Sequence, residues 1–211
     1  MTHLVIGLGE VGQAIQKIFN CPGIDIGSDL SEEYNILHIC FPYSDGFVEA
    51  VEEYESIFSP SYIIIHSTVP VGTCIKLTGH IVHSPIRGLH PHLYEGIMTF
   101  PKFLGGRYAS DVADEFRKRG LKVILCDDME TTELGKLLDT EYYRACIEFT
   151  LRAKELCDEN NVPFAEAYTL FNQTYNQGYT ELNHPEYVRP VLQPIMKPIG
   201  GHCVMQNKKL L

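Results

Sequence analysis

The sequence predicts an α/β protein: a doubly wound, mostly parallel sheet followed by a small all-helical domain with one long helix. Three observations predict it. A short apolar strand (Leu4, Val5, Ile6) runs straight into Gly7, Gly9 and Gly12; strand-like and helix-like runs then alternate as far as Asp128; and from Glu130 to about Asn160 apolar residues recur at helical spacing.

Each element has its own signal. Gly7, Gly9 and Gly12 have the spacing of a Rossmann-type dinucleotide turn. The first permits the tight bend, the second lets backbone approach a pyrophosphate, and the third lets the following helix (Val11, Ala14, Ile15, Ile18, Phe19) pack on the strand. The unpaired N–H groups at that helix start, among Leu8, Glu10 and Val11, are the expected anion holders. A second strand-like run, GIDIGSD, ends at Asp29, about where a carboxylate accepts the ribose hydroxyls. This favours NAD over NADP, because a 2′-phosphate would meet like charge. Asp25 and Glu32 are the competing acids. Strands are expected at 35–41, 62–66, 81–85, near 100–106 and at 121–127. Helices are expected over 44–58, with Phe47, Val51, Tyr54 and Phe58 on one face, and over about 110–119.

The second half reads differently. The run 130–160 is a rod of ~45 Å, carrying Leu134, Leu138, Ala145, Phe149, Ala153 and Leu156. Pro163 opens a shorter helix, and a Pro- and Tyr-rich tail follows. The expected division is a cofactor domain, 1–128, and a helical dimerisation and substrate domain, 129–211. A homodimer through helix 130–160 is the simplest way to cover both its faces.

Composition bounds the function. With 211 residues, 45% hydrophobic and 21% charged, the chain can build one large core or two small ones. Its net charge of −10 and lack of a basic run argue against nucleic acid and anionic membrane as partners. No apolar stretch is long enough to span a bilayer, and a cytoplasmic protein with a small-molecule substrate is expected. Seven unclustered cysteines without a C-x-x-C pair fit reduced thiols, not a disulfide framework or a zinc site.

Together with Asp29, the motifs GLGEVG (7–12), HICFP (38–42), STVPVGT (67–73), SPIRG (84–88), Gly105-Gly106, ELGKLLDT (133–140) and GGHC (200–203) resemble, in order, those of the UDP-glucose/GDP-mannose dehydrogenases. The resemblance covers the first two of that family's three domains. It lies within the wider 6-phosphogluconate dehydrogenase-like superfamily. It implies an NAD-dependent oxidation of an alcohol on a sugar-like or hydroxyacid substrate. It also implies roles: Pro42 and Thr68 at the cofactor, Thr68 also at the substrate, Lys136 stabilising a developing alkoxide, and Cys203 as the thiol that traps an aldehyde.

Departures accompany the matches. Ile86 stands where the family has a glutamate, Thr140 replaces an asparagine one helical turn after Lys136, and Asn207 replaces an aspartate four residues after Cys203. The alternative reading is therefore a catalytically degenerate protein that binds a dinucleotide as ligand or sensor. Arg87, with its planar fork of donors, is the candidate for an anionic substrate group, and Thr140 and His202 complete the expected substrate site. His202 either lowers the pKa of the neighbouring thiol or caps a turn. His90 and His92 are expected on one side of an extended segment, as acid/base groups; no metal is expected, because a third ligand is not evident.

Overall fold

The computed structural model describes residues 1–25, 33–195, 207 and 209–211. It separates into two compact units, Met1–Leu137 with Leu210–Leu211, and Leu138–Lys209.

The first unit is a seven-stranded sheet. Its strands are β1 (His3–Ile6), β2 (Gly23–Ile24), β3 (Ile36–Ile39), β4 (Tyr62–Ile65), β5 (Ile81–His83), β6 (Lys102–Gly105) and β7 (Val123–Cys126), in the order β2-β1-β3-β4-β5-β6-β7. Every pairing is parallel except β5 with β6. The helices are α1 (Glu10–Phe19), α2 (Phe47–Phe58), α3 (Leu93–Thr99), α4 (Ala109–Arg117) and the start of α5 (Met129–Glu159).

Strands β1, β3 and β4 are almost wholly apolar because both faces of the sheet are covered. Val5, Ile36, Ile64, Val82 and Leu104 pack with Ile15 and Phe19 of α1, Leu93 and Ile97 of α3, and Val112 and Phe116 of α4. The alternate residues Leu4, Ile6, Leu37, Ile39, Ile63 and Ile65 pack with Phe47, Val51 and Phe58 of α2. The period of two separates the two cores.

Two expectations need correction, and a third falls outside the described residues. The described part of the second strand is Gly23–Ile24, and Asp29, where that run was expected to end, lies outside the described residues. His90 and His92 are not in an extended segment: they sit in a turn with a cis His90–Pro91 peptide, directly before α3. That helix, LYEGIMT, is only seven residues long, too short for its period to announce itself. Finally, α2 starts at Phe47 rather than Ser44, behind Gly46 in the left-handed conformation (φ 86°).

The second unit holds the rest of the 31-residue α5, a π-helical segment Ala165–Leu170, and α6 (Phe171–Glu181). Its interior is small. The Tyr168 hydroxyl meets Thr150 Oγ1 at 3.1 Å, and the Phe164 and Tyr168 rings stack at 4.8 Å. No helix among the described residues is long and apolar enough to cross a membrane.

Candidate functional site: a dinucleotide turn at the sheet's switch point

The chain leaves β1 for β2 on one side and returns to β3 on the other, so the carboxyl ends of β1 and β3 diverge around a crevice. The glycine turn lies at that point. Gly7 has φ +94°, and a Cβ there would lie 2.8 Å from the Phe41 amide nitrogen at the end of β3. At Gly12 a Cβ would lie 1.8 Å from the Gly7 carbonyl oxygen, which is the close helix–strand approach expected of the third glycine. Gly9 is the N-cap of α1 and gives no side-chain cap, so the first N–H groups of α1 have no side-chain acceptor from that position.

Asp25 directly follows β2, and its Oδ1 accepts the Leu8 N–H at 2.7 Å. Gln13 Nε2 donates to the Leu8 carbonyl at 2.9 Å, so both sides of the Leu8 peptide are fixed. Asp25, which the sequence reading set behind Asp29, is therefore an acid hydrogen-bonded to the glycine turn, while Asp29 lies outside the described residues. The signal was available: in GIDIGSD, the apolar-then-acid step that ends a strand falls at Ile24–Asp25.

The HICFP and STVP segments are tied together by Ser67, whose hydroxyl donates to the Phe41 carbonyl at 2.5 Å. Beside that link Thr68 is half-buried and Pro42 is exposed. Sequence reasoning missed Glu133 of α5, one turn before Lys136. Its two carboxylate oxygens accept the N–H groups of Gly72 and Cys74 at 2.7 and 2.8 Å, pinning the VGTC loop. Neighbouring Thr132 meets His83 Nδ1 at 2.7 Å; burial holds the His83 imidazole down at about 4.

The SPIRG segment rests on a buried amine. Lys102 Nζ donates to the carbonyls of Ser84 and Pro85, both at 2.8 Å. Burial, and less strongly the like charges of Lys136 and Arg87, hold its pKa well below the usual lysine range; the nearby Cys40 acts the other way. Burial also pushes the Cys40 thiol up. Ile86 is 7% exposed and belongs to the core, so the position where the resembled family has a glutamate is filled by packing. The Arg87 guanidinium donates to the Pro101 carbonyl at 3.1 Å, with the Phe100 and Phe103 rings 5.3 and 5.1 Å away. Here it serves the loop's own structure.

Two of the departures meet. Asn207 Nδ2 donates to Thr140 Oγ1 at 3.3 Å, a neutral pair. His202 and Cys203 lie outside the described residues. Among the described residues no three metal-ligating side chains converge. His90 instead meets Glu10, Nδ1 to Oε2 at 2.5 Å.

No family model matches the chain. Over 194 residues it is 25% identical to the UDP-N-acetyl-D-mannosamine dehydrogenase of Methanococcus vannielii, covering 86% of this chain and 39% of that protein. The solved UDP-D-ManNAc dehydrogenase of Pyrococcus horikoshii superposes with a TM-score of 0.79 at 19% identity, covering 100% of this chain and 64% of that one. Over part of their length, the chain is thus similar to nucleotide-sugar dehydrogenases. The same architecture extends to the 3-hydroxyisobutyrate dehydrogenase of Mycobacterium tuberculosis, with a TM-score of 0.68 at 15% identity and coverage of 99% of this chain and 84% of that one. This dehydrogenase-like chain thus spans well under half the length of the curated relative it matches.

Proposed function

We propose that this nucleotide-sugar dehydrogenase-like chain is an NAD-dependent oxidoreductase that takes a hydride from an alcohol of a sugar-like or hydroxyacid substrate. The observation that carries the reading is the glycine turn at the switch point, with Asp25 hydrogen-bonded to it at the end of β2. The residues fit a dinucleotide: Gly12 leaves no room for a Cβ, α1 begins without a side-chain cap, and Asp25 is an acid beside the turn. The bound nicotinamide would supply the hydride acceptor.

The chain's own residues supply the rest. Asp25, with Asp29 as the further acid, accepts ribose hydroxyls and disfavours a 2′-phosphate. Backbone N–H groups of Glu10 and Val11 face the pyrophosphate. Lys136 stabilises the alkoxide as the hydroxyl proton leaves and serves as its acid/base partner; Thr68 positions the reacting groups and Arg87 and Thr140 border the substrate. Cys203, assisted by His202, is the proposed thiol for a second oxidation step. The proposed protein is a cytoplasmic homodimer with a small-molecule substrate and no nucleic-acid or membrane partner. The names of the relatives point to nucleotide sugars first.

A second reading has specific support. With Ile86 packed in the core and Thr140 facing Asn207 as a neutral pair, the polar groups expected at three positions are replaced, which suits a dinucleotide-binding sensor without turnover. Calorimetric titration with NAD and NADP tests both, using Asp25→Ala and Asp29→Ala as controls. Micromolar NAD binding lost in Asp25→Ala, followed by NADH formation from a nucleotide sugar or hydroxyacid that fails in Lys136→Ala, supports the enzyme. Binding without turnover across that panel supports the sensor, and no binding of either cofactor removes both.

A further inference from the structure

The glycine turn carries an acid where an anion is expected. Glu10 is the first residue of α1, so its carboxylate stands beside the helix start that would face a pyrophosphate. Left uncompensated, it would repel the ligand that the turn is built to hold.

The compensation comes from a different loop. His90 Nδ1 lies 2.5 Å from Glu10 Oε2, a contact that joins residues 80 positions apart. The other carboxylate oxygen, Oε1, is enclosed and takes no hydrogen bond among the described residues. The loop carrying His90 is anchored on α1 by its following helix. Lys17 Nζ lies 3.7 Å from the centre of the Tyr94 ring, and Gly88 and Gly96 approach so closely that a Cβ on Gly96 would lie 2.6 Å from the Gly88 Cα. The histidine is therefore delivered to the turn by packing.

We propose that His90 is a cofactor-site residue. Its ring, held on Glu10, donates to that carboxylate at the α1 start and so reduces the repulsion the acid would exert on the dinucleotide's pyrophosphate. This rests on the cofactor reading above. It assigns the SPIRG–HPH loop to phosphate recognition as well as to the substrate side, and it gives the acid in GLGEVG a role as an anchor for the histidine.

The test is calorimetry with NAD on the native chain, His90→Ala, His90→Gln, Glu10→Gln and the His90→Ala/Glu10→Gln double variant. Adenosine serves as the phosphate-free control, and each variant's melting temperature is checked. Either His90 variant should weaken NAD roughly tenfold without moving adenosine. Glu10→Gln should bind NAD at least as tightly as the native chain, and the double variant should return to within about threefold of native, because the charge that needed compensating has gone. A merely structural contact would show no such rescue.

Native NAD affinity in both His90 variants, or a double variant as weak as His90→Ala, overturns the proposal. If the His90 variants melt early, Glu10→Gln decides: weaker NAD binding there overturns it. A native chain that binds neither NAD nor adenosine removes the cofactor reading itself, whereas native binding with unmoved variants removes this inference alone.

Discussion

His38 Nδ1 lies 2.9 Å from His66 Nε2 in the fully buried middle of the sheet, and this contact is one link of a chain. His3 Nδ1 meets His38 Nε2 at 3.0 Å, and His66 Nδ1 meets the Ser84 carbonyl at 2.8 Å. The carbonyl can only accept, so His66 donates from Nδ1 and accepts at Nε2. The same tautomer is then imposed on His38 and His3 in turn. The row ends at His3 Nε2, beside Glu115 at 3.2 Å and the Arg119 guanidinium at 3.3 Å. At its other end the Ser84 carbonyl also takes the Lys102 amine. Neutral imidazoles satisfy this row, and among the described residues a proton inside it meets a buried counter-charge at Glu115, at its end.

Removing the middle ring should therefore be expensive. His38→Leu fits the apolar surroundings of Phe19 and Phe116 but leaves His3 Nδ1 and His66 Nε2 buried without partners. We expect a loss of ~2–4 kcal/mol at pH 7 by urea unfolding. A change under ~0.5 kcal/mol would show that the row contributes no net stability.

Acid should act on the same residues. Burial holds His3 and His83 at about 4, against 6.5 in the unfolded chain, and it lowers His38 and His66 too. Between pH 6.5 and 4 the unfolded chain binds more protons, so stability is fully present above 6.5 and falls as pH drops through that window. His83 alone is worth about 3 kcal/mol. Unfolding free energies measured from pH 7.5 to 4.5 should decline steadily below 6.5; a flat profile down to 4.5 contradicts the assignment.

Much of this architecture was legible, and the exceptions share a cause. The alternation of strands and helices, the glycine turn and α5 come from local periodicity, which one segment carries by itself. The histidine row joins segments 28 to 112 residues apart, and each histidine alone looks like an ordinary core residue. The same holds for Glu133, whose partners Gly72 and Cys74 are 61 and 59 residues distant. The antiparallel β6 was hidden because FPKFLGG reads alike in either direction. Of the cofactor site, the turn was plain in the sequence, whereas the two-residue β2 gives no period from which to rank Asp25 against Asp29.

Glu133 offers a direct check of a contact that periodicity could not reveal. Fully buried, it is the acceptor for two loop N–H groups, which Glu133→Ala would leave without it. Two charge-assisted hydrogen bonds should make the loss ~3 kcal/mol, and at ~2–4 °C per kcal/mol for a chain of this size the melting temperature should fall by roughly 6–12 °C. Glu133→Gln, which keeps one acceptor oxygen, should fall about half as far. If the alanine variant melts like the native chain, the loop is held by something else.

Gly12→Ala separates the turn's geometry from the turn's charge. The new methyl would lie 1.8 Å from the Gly7 carbonyl oxygen, a backbone atom that cannot move without displacing α1 from β1. A folded Gly12→Ala chain should therefore lose NAD binding by at least ~100-fold, while Gly135→Ala, where no atom lies within 4 Å, should leave it unchanged. Native-like affinity in Gly12→Ala would mean that the dinucleotide, if it binds, does so elsewhere.

The last prediction concerns association. In the second unit α5 exposes a stripe of large side chains at helical spacing: Leu138 at 53%, Tyr142 at 63% and Phe149 at 66%, with Leu156 continuing the row. One flank is tied by ion pairs, Arg144 to Glu141 and Glu148, and Arg152 to Glu155 and Glu159, so the stripe is apolar with a charged border on that side. Such a surface is unfavourable in water at this size and self-complementary when two copies of α5 meet about a two-fold axis. Light scattering after gel filtration should give about 48 kDa, twice the 23.9 kDa of one chain. Phe149→Asp should shift it to the monomer mass, because a carboxylate at the centre of the stripe would be buried opposite its own copy. A monomeric native chain at tens of micromolar, or a dimer indifferent to Phe149→Asp and Leu138→Asp alike, would place the interface elsewhere or leave the stripe for a different partner.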